Sequence, residues 1–281
     1  MLKFFRNMDW LQCLAFGVLF GIVVFGIFIL VQNILDINEN IRLQLSIKIF
    51  NLIFISILAF PVIYLSSKAF FRTSSIKLLA LSGAQLSLGI GSLLKGWLPD
   101  TNLSILIIIY ESTVLLTSLI YLSGGIITIA RPASFKLNAE QKRKVYFGGL
   151  TAVILAVALI VSFTFLKLIP SSVGFRGNRL SVQDILQILS TIILFITSLI
   201  YFRVYLKSNS DLTYWYCLSL LFLAFGVFFI SQGDVESRIA WVGRASQYFG
   251  NICFLAGLIR NYKQEKINTS KIRYSRKPVG V

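Results

Sequence analysis

Eight apolar stretches, each long enough to cross a bilayer, take up most of this chain, and its basic residues fall in alternate gaps between them. A helical span needs ~20 mostly apolar residues to cover ~30 Å of hydrocarbon. Only helices and closed barrels satisfy every backbone hydrogen bond in that medium. These runs are continuous rather than alternating, which selects helices. The pattern therefore predicts an all-α integral membrane protein, a bundle of eight transmembrane helices. Their expected limits are 11–32, 46–66, 77–97, 103–130, 146–169, 183–205, 212–231 and 239–260.

Charged residues make up 14% of the 281 positions, against about 25% in an ordinary soluble domain. Spans and short connections use almost everything, so residues 1–261 read as one transmembrane domain and 262–281 as a basic cytoplasmic tail. The net charge of +16 would suggest nucleic acid in a soluble protein. Here the positive-inside rule accounts for it, and no nucleic-acid partner is expected. Lys68, Arg72 and Lys77 follow the second span, and Arg131, Lys136, Lys142, Arg143 and Lys144 follow the fourth. Arg203 and Lys207 edge the sixth, and seven basic residues from Arg260 to Lys277 follow the eighth. On the other side Asp36, Glu39, Asp100, Asp234 and Glu236 offset the basic groups, with Arg176 and Arg179 as the exception. Both termini are expected in the cytoplasm, in a multi-pass protein of the cell membrane.

Residues 1–10 are basic and precede the first apolar run, but that run is longer than a signal-peptide core, and Val31-Gln32-Asn33 offers no small-residue cleavage site. It reads as a retained span. Trp10, Trp97, Tyr214, Trp215, Tyr216 and Trp241 sit at expected span ends, where amphipathic rings prefer the headgroup zone. Ser181 and Asp184 have capping-box spacing at the start of the sixth span, and Pro61 is placed to kink the second.

Catalytic chemistry has little to work with. Histidine is absent, which removes imidazole metal ligands and histidine-based triads. Cys13, Cys217 and Cys253 lie inside apolar runs and read as small packing residues. No paired carboxylate, phosphate-binding loop or metalloprotease motif appears. The chain is read as a non-enzyme that needs no metal or cofactor.

The eighth span is the least ordinary. Gly243, Gly250 and Gly257 repeat every seven residues and lay a smooth strip along one helix face, which lets a neighbouring backbone approach closely. Beside it, Arg244, Gln247 and Asn251 form a polar face at i, i+3 and i+7. Such a face belongs inside a bundle, either as interhelical glue or as a site. Glu111 is the one acid well inside a span, ~12 Å deep from the outer end of the fourth, and Arg244 enters ~8 Å from the same side. A Glu111–Arg244 pair is geometrically open, with Lys95 as a shallower partner. Ser82, Gln85, Gly89 and Ser92 give the third span a similar stripe. The candidate ligand or relay residues are Arg244, Gln247, Asn251, Trp241, Glu111, Gln85 and Lys95, around a polar cavity between the third, fourth and eighth spans. Gly17 and Gly21 form GxxxG in the first span, a motif for packing within the chain or for a homodimer.

From about Gly174 to Arg260 the chain carries Gly-Phe-Arg-Gly-Asn-Arg-Leu-Ser before the sixth span, Asp211-Leu-Thr-Tyr-Trp-Tyr216 before the seventh, and Trp241-Val-Gly-Arg-Ala-Ser-Gln-Tyr-Phe-Gly250 in the eighth. This resembles the multi-spanning sensor regions that lie N-terminal to PAS and histidine kinase modules in archaea and bacteria. Trp241, Gly243, Arg244, Gln247, Tyr248 and Gly250 carry the resemblance; the N-terminal half matches only in span number and loop charge. The resemblance implies a membrane sensor whose last helix passes a signal inward. The tail is too short for a PAS or kinase fold, so the output is expected from a separate histidine kinase, PAS protein or transducer. The alternative is a small-solute transporter, with Lys95, Arg176, Arg179 and Arg244 attracting an anion.

Overall fold

The computed structural model describes residues 47–97, 103–130, 137–169, 172–175, 178–233 and 237–275. The chain divides into two compact units, 1–50 and 51–281, and nearly all described residues belong to the second. The expected first span, with Cys13, Gly17 and Gly21, lies outside the described residues, as does Trp10.

Among the described residues the chain forms seven helices and one small hairpin. The elements are α1 (Ile47–Thr73), α2 (Ile76–Trp97), α3 (Leu103–Ala130), α4 (Ala139–Phe165), β1 (Ser172–Phe175), β2 (Asn178–Ser181), α5 (Val182–Ser208), α6 (Asp211–Ser231) and α7 (Arg238–Ser275). The strands pair antiparallel, Ser172 opposite Ser181 and Phe175 opposite Asn178. Six helices, α1 to α6, are long and apolar enough to cross a membrane, as a multi-pass membrane protein requires. The seventh, α7, is not among them because Arg244, Gln247 and Asn251 lower its mean hydropathy.

Local chemistry sets the helix ends. α1 stops at Ser74 (φ 55°) and α5 at Asn209 (φ 48°), each in the left-handed conformation that ends a helix. Their N–H groups bond Phe70 O and Tyr205 O. α4 begins with Asn138, whose N–H donates to Gln141 Oε1 at 3.0 Å. Ser181 does occupy the N-cap of α5, but its side chain makes no capping bond there. Within α1, residues Leu52–Ile57 form a π-helical stretch. It ends four residues before Pro61, where a proline ring clashes with the i−4 carbonyl and removes its hydrogen bond. The sequence signal for a kink thus corresponds to a widened helical turn.

The helices α1, α2, α3, α5, α6 and α7 pack in that cyclic order, with α7 closing onto α1. α4 lies outside the cycle, mainly against α2 and α3. Accordingly 17% of its apolar window is buried, against 67% for α2. α2 is the most enclosed of the apolar helices because its inner face is small: Ser82, Ala84, Ser87, Gly89 and Gly91 are all buried. A Cβ at position 91 would overlap the Thr113 hydroxyl, so only glycine permits this approach of α2 to α3.

Candidate functional site

Four helices bring polar side chains to the interior at the end where α1, α3, α5 and α7 begin and α2 finishes. Glu111, Gln187, Arg244, Gln247, Asn251 and Gln85 are all buried there, none more than 6% exposed. A buried polar group costs free energy unless it is hydrogen-bonded, and the pairing is specific. Gln187 Nε2 donates to Glu111 Oε1 at 3.0 Å, linking α5 to α3. Tyr110, next to Glu111 on α3, donates from its hydroxyl to Gln247 Oε1 on α7 at 3.3 Å. The Lys95 ammonium stands over the Tyr110 ring, 4.2 Å from its centroid, a cation–π contact. Lys95 also lies within the electrostatic reach of both Glu111 and Arg244. The Arg244 guanidinium stacks over Trp241 at 5.2 Å.

The Glu111–Arg244 ion pair that their depths allow is not the arrangement found. The carboxylate is held by the Gln187 amide, with Lys95 supplying the neighbouring positive field.

One layer further along, Gln85 spends both amide N–H groups, donating to Tyr121 Oη at 2.9 Å and to Asn251 Oδ1 at 3.0 Å. The hydroxyl of Tyr248 donates to Asn51 Oδ1 on α1 at 2.7 Å, and its ring stacks on Phe54 at 5.2 Å. Below this, Tyr121, Tyr201, Tyr216 and Phe254 form a packed aromatic cluster, with Tyr201 and Tyr216 centroids 4.3 Å apart.

Arg244, Gln247 and Asn251 reach this interior because α7 lies against α6 along its glycines. A Cβ at Gly243 would stand 2.7 Å from Gly226 O, one at Gly250 3.0 Å from Ser219 O, and one at Gly257 2.6 Å from Trp215 Cβ. Backbone contact on this side turns the polar face of α7 towards α1, α2 and α3. The residues singled out from sequence therefore fall into two connected groups, Lys95–Glu111–Gln247 with Arg244 beside them, and Gln85–Asn251.

Gln187, Tyr110, Tyr121, Tyr248 and Asn51 complete these groups and were not among the sequence candidates. An amide inside an apolar run was the available signal for Gln187 and Asn51. Tyr110 and Tyr121 look like ordinary core residues in one dimension, and Tyr248 stood out only through the resemblance.

At the opposite end, α7 continues beyond the bundle and is gripped on two sides. Asp211 of α6 accepts from Arg260 at 3.0 Å and from Gln264 at 2.7 Å. Tyr262 accepts from Lys68 Nζ at 3.2 Å, and Arg72 lies 5.2 Å from its ring. The hydrogen bond and charge of Lys68 hold the Tyr262 phenol below its ordinary pKa. Among the described residues, no cluster of three or more potential metal ligands occurs.

Compared with family models, curated proteins and solved structures, this chain matches none.

Proposed function

We propose that the chain is a membrane-embedded, sensor-like module that relays a stimulus to a separate cytoplasmic signalling partner. In this reading it crosses the cell membrane eight times, with α7 as the last crossing, and both termini lie in the cytoplasm. The distribution of basic residues among the loops supports a topology with the Asp211 end inside and the Glu111 end outside.

The observation that carries the reading is the continuity of α7. One 38-residue helix contributes Arg244, Gln247 and Asn251 to the buried polar groups. The same helix contributes Arg260, Tyr262 and Gln264 to contacts with α6 and α1 at its other end. A stimulus that alters the packing around Lys95, Glu111 and Gln247 acts on one end of a continuous helix whose other end faces the partner. Relay requires that the stimulus bind or stabilise two packings unequally. The reaction class is none: the module binds and transmits.

Crosslinking the tagged protein in its own cells tests the reading. A kinase, PAS protein or transducer joined to the segment after Arg260, and lost when that segment is deleted, supports it. Arg244→Ala should insert normally and abolish the response. Normal insertion with no cytoplasmic partner captured overturns it.

A small-solute transporter is the second reading, supported by Lys95 and Arg244 as two cations at one end of the bundle. Uptake of an anionic solute into proteoliposomes decides it.

A further inference from the structure

Towards its C-terminal end α1 carries Phe60, Tyr64, Lys68 and Arg72, each four residues after the last. Residues at this spacing follow one another along a helix face, and the column is ~18 Å long at 1.5 Å per residue. Phe60 and Tyr64 are 66% and 63% exposed on the outer surface of the bundle. In a membrane Phe60 meets hydrocarbon, and Tyr64 suits the interface where amphipathic rings collect. The two cations then stand at headgroup level. From end to end the column has the polarity of one phospholipid lying against it.

The cations converge on α7 instead of spreading apart. The Lys68 ammonium donates to Tyr262 Oη at 3.2 Å and lies 4.8 Å from the centre of that ring. The Arg72 guanidinium lies 5.2 Å from the same ring. Like charges at i and i+4 repel, so their meeting at one tyrosine concentrates positive potential there. The described acids at this end of the bundle are engaged by other cations, Asp211 by Arg260 at 3.0 Å and Glu140 by Lys144 at 2.7 Å. Tyr262 Oη accepts the Lys68 bond, which leaves its own hydrogen to donate. The bond and charge of Lys68 that lower the phenol pKa also make that O–H a stronger donor.

An ammonium, a guanidinium and a phenol O–H from two helices thus face one spot at the membrane interface. Such a set calls for a negatively charged group with several acceptor oxygens, which a phosphate supplies. The exposed apolar half of the column calls for acyl chains on the same molecule. A zwitterionic lipid brings an ammonium of its own and gains less from the two cations. We propose that Lys68, Arg72 and Tyr262 bind the phosphate of one anionic phospholipid, whose chains lie along Tyr64 and Phe60.

The site requires that the bundle lie in a membrane, but it stands or falls separately from the sensor reading, because lipid occupancy is measured without a signalling partner. Native mass spectrometry of the full chain in detergent counts bound lipids during titration. One phosphatidylglycerol should bind ahead of further adducts, and more tightly than phosphatidylcholine with the same chains. Lys68→Gln/Arg72→Gln should weaken phosphatidylglycerol binding roughly 25-fold, about fivefold for each cation. Lys68→Arg, which keeps the charge, should retain it. Tyr262→Phe removes a single oxygen from a part-exposed side chain, so its effect is read in a folded protein. It should weaken binding about fivefold, the worth of one hydrogen bond.

Arg203 and Lys207 provide the control, an exposed pair of cations at the same spacing and the same end of the bundle, on α5. Arg203→Gln/Lys207→Gln should bind phosphatidylglycerol as the wild type does. Equal weakening by the α5 pair would assign binding to diffuse positive charge and overturn the proposal. Unchanged binding by Tyr262→Phe, or equal affinity for phosphatidylcholine, overturns it too. Glycerol phosphate, the same headgroup without chains, is the last arm: binding as tight as that of the lipid assigns the cluster to a soluble phosphate and overturns the lipid site.

Discussion

Gln187 and Glu111 are 76 residues apart in sequence, yet the amide of one is the hydrogen-bond donor to the carboxyl of the other at 3.0 Å, both side chains buried between α5 and α3. Gln187→Leu removes the donor and strands the acid. It should destabilise the bundle by about 1–3 kcal/mol, whereas Glu111→Gln, which keeps an acceptor for Gln187, should cost less. Unfolding in detergent micelles measures both. Indistinguishable wild-type and Gln187→Leu curves would remove this contact from the account.

The glycines of α7 give a steric test. Gly243→Ala and Gly257→Ala place a Cβ at 2.7 Å from Gly226 O and 2.6 Å from Trp215 Cβ. Such overpacking costs typically ~1–3 kcal/mol. Gly96→Ala meets nothing within 4 Å and should leave stability near wild type. The same unfolding assay separates the three, and a Gly257→Ala protein as stable as Gly96→Ala would contradict the close approach of α6 and α7.

Gln85 and Asn251 are predicted to be coupled. A double-mutant cycle with Gln85→Ala and Asn251→Ala should return an interaction of about 0.6 kcal/mol, the average for polar pairs between membrane helices. Additive single effects would mean that the bond across α2 and α7 contributes nothing.

Asp211 holds the far end of α7 through Arg260 and Gln264. The Arg260 and Asp211 side chains are 42% and 35% exposed, so the pair is worth less than ~1 kcal/mol, and Asp211→Ala should barely move global stability. Its effect should be local, a faster-moving spin label at position 265 in the variant than in the wild type. An unchanged spectrum would show that Asp211 does not fix this segment.

The Tyr262 phenol, beyond the expected span 239–260, has its pKa lowered by the hydrogen bond from Lys68. A folded value below the unfolded one means that this contribution to stability is fully present above the unfolded tyrosine pKa. It is lost as pH falls through the folded value. Alkaline titration of phenolate absorbance, taken as the difference between wild type and Tyr262→Phe, should place Tyr262 below ordinary tyrosines. Lys68→Gln should raise it again.

Much of the helical frame was legible in the sequence because bilayer-length apolar runs and punctuating loops are one-dimensional signals. The six apolar helices from Ile47 to Ser231 lie where those runs lie. So was the polar face of α7, since Arg244, Gln247 and Asn251 align by helical period alone. The pairing was not. Depth along a helix allowed Glu111 to meet Arg244, but which side chain Glu111 faces depends on α5 standing beside α3, with α4 displaced from the cycle. Chain order gives no hint of that displacement. Tyr110 and Tyr121 were missed for a related reason, because an aromatic residue in a span looks apolar until the partner of its hydroxyl is known.

The Gln85–Asn251 bond also has a consequence in time. Its partners are separated by 166 residues, and chains emerge from the ribosome N-terminus first. The Gln85 amide meets Tyr121 once α3 is made, but its second N–H must wait for α7. Tyr110 waits likewise for Gln247, 137 residues later. The helix that covers these groups, α7, follows the other described helices in sequence, so a nascent chain interrupted before α7 carries polar groups that α7 has yet to cover.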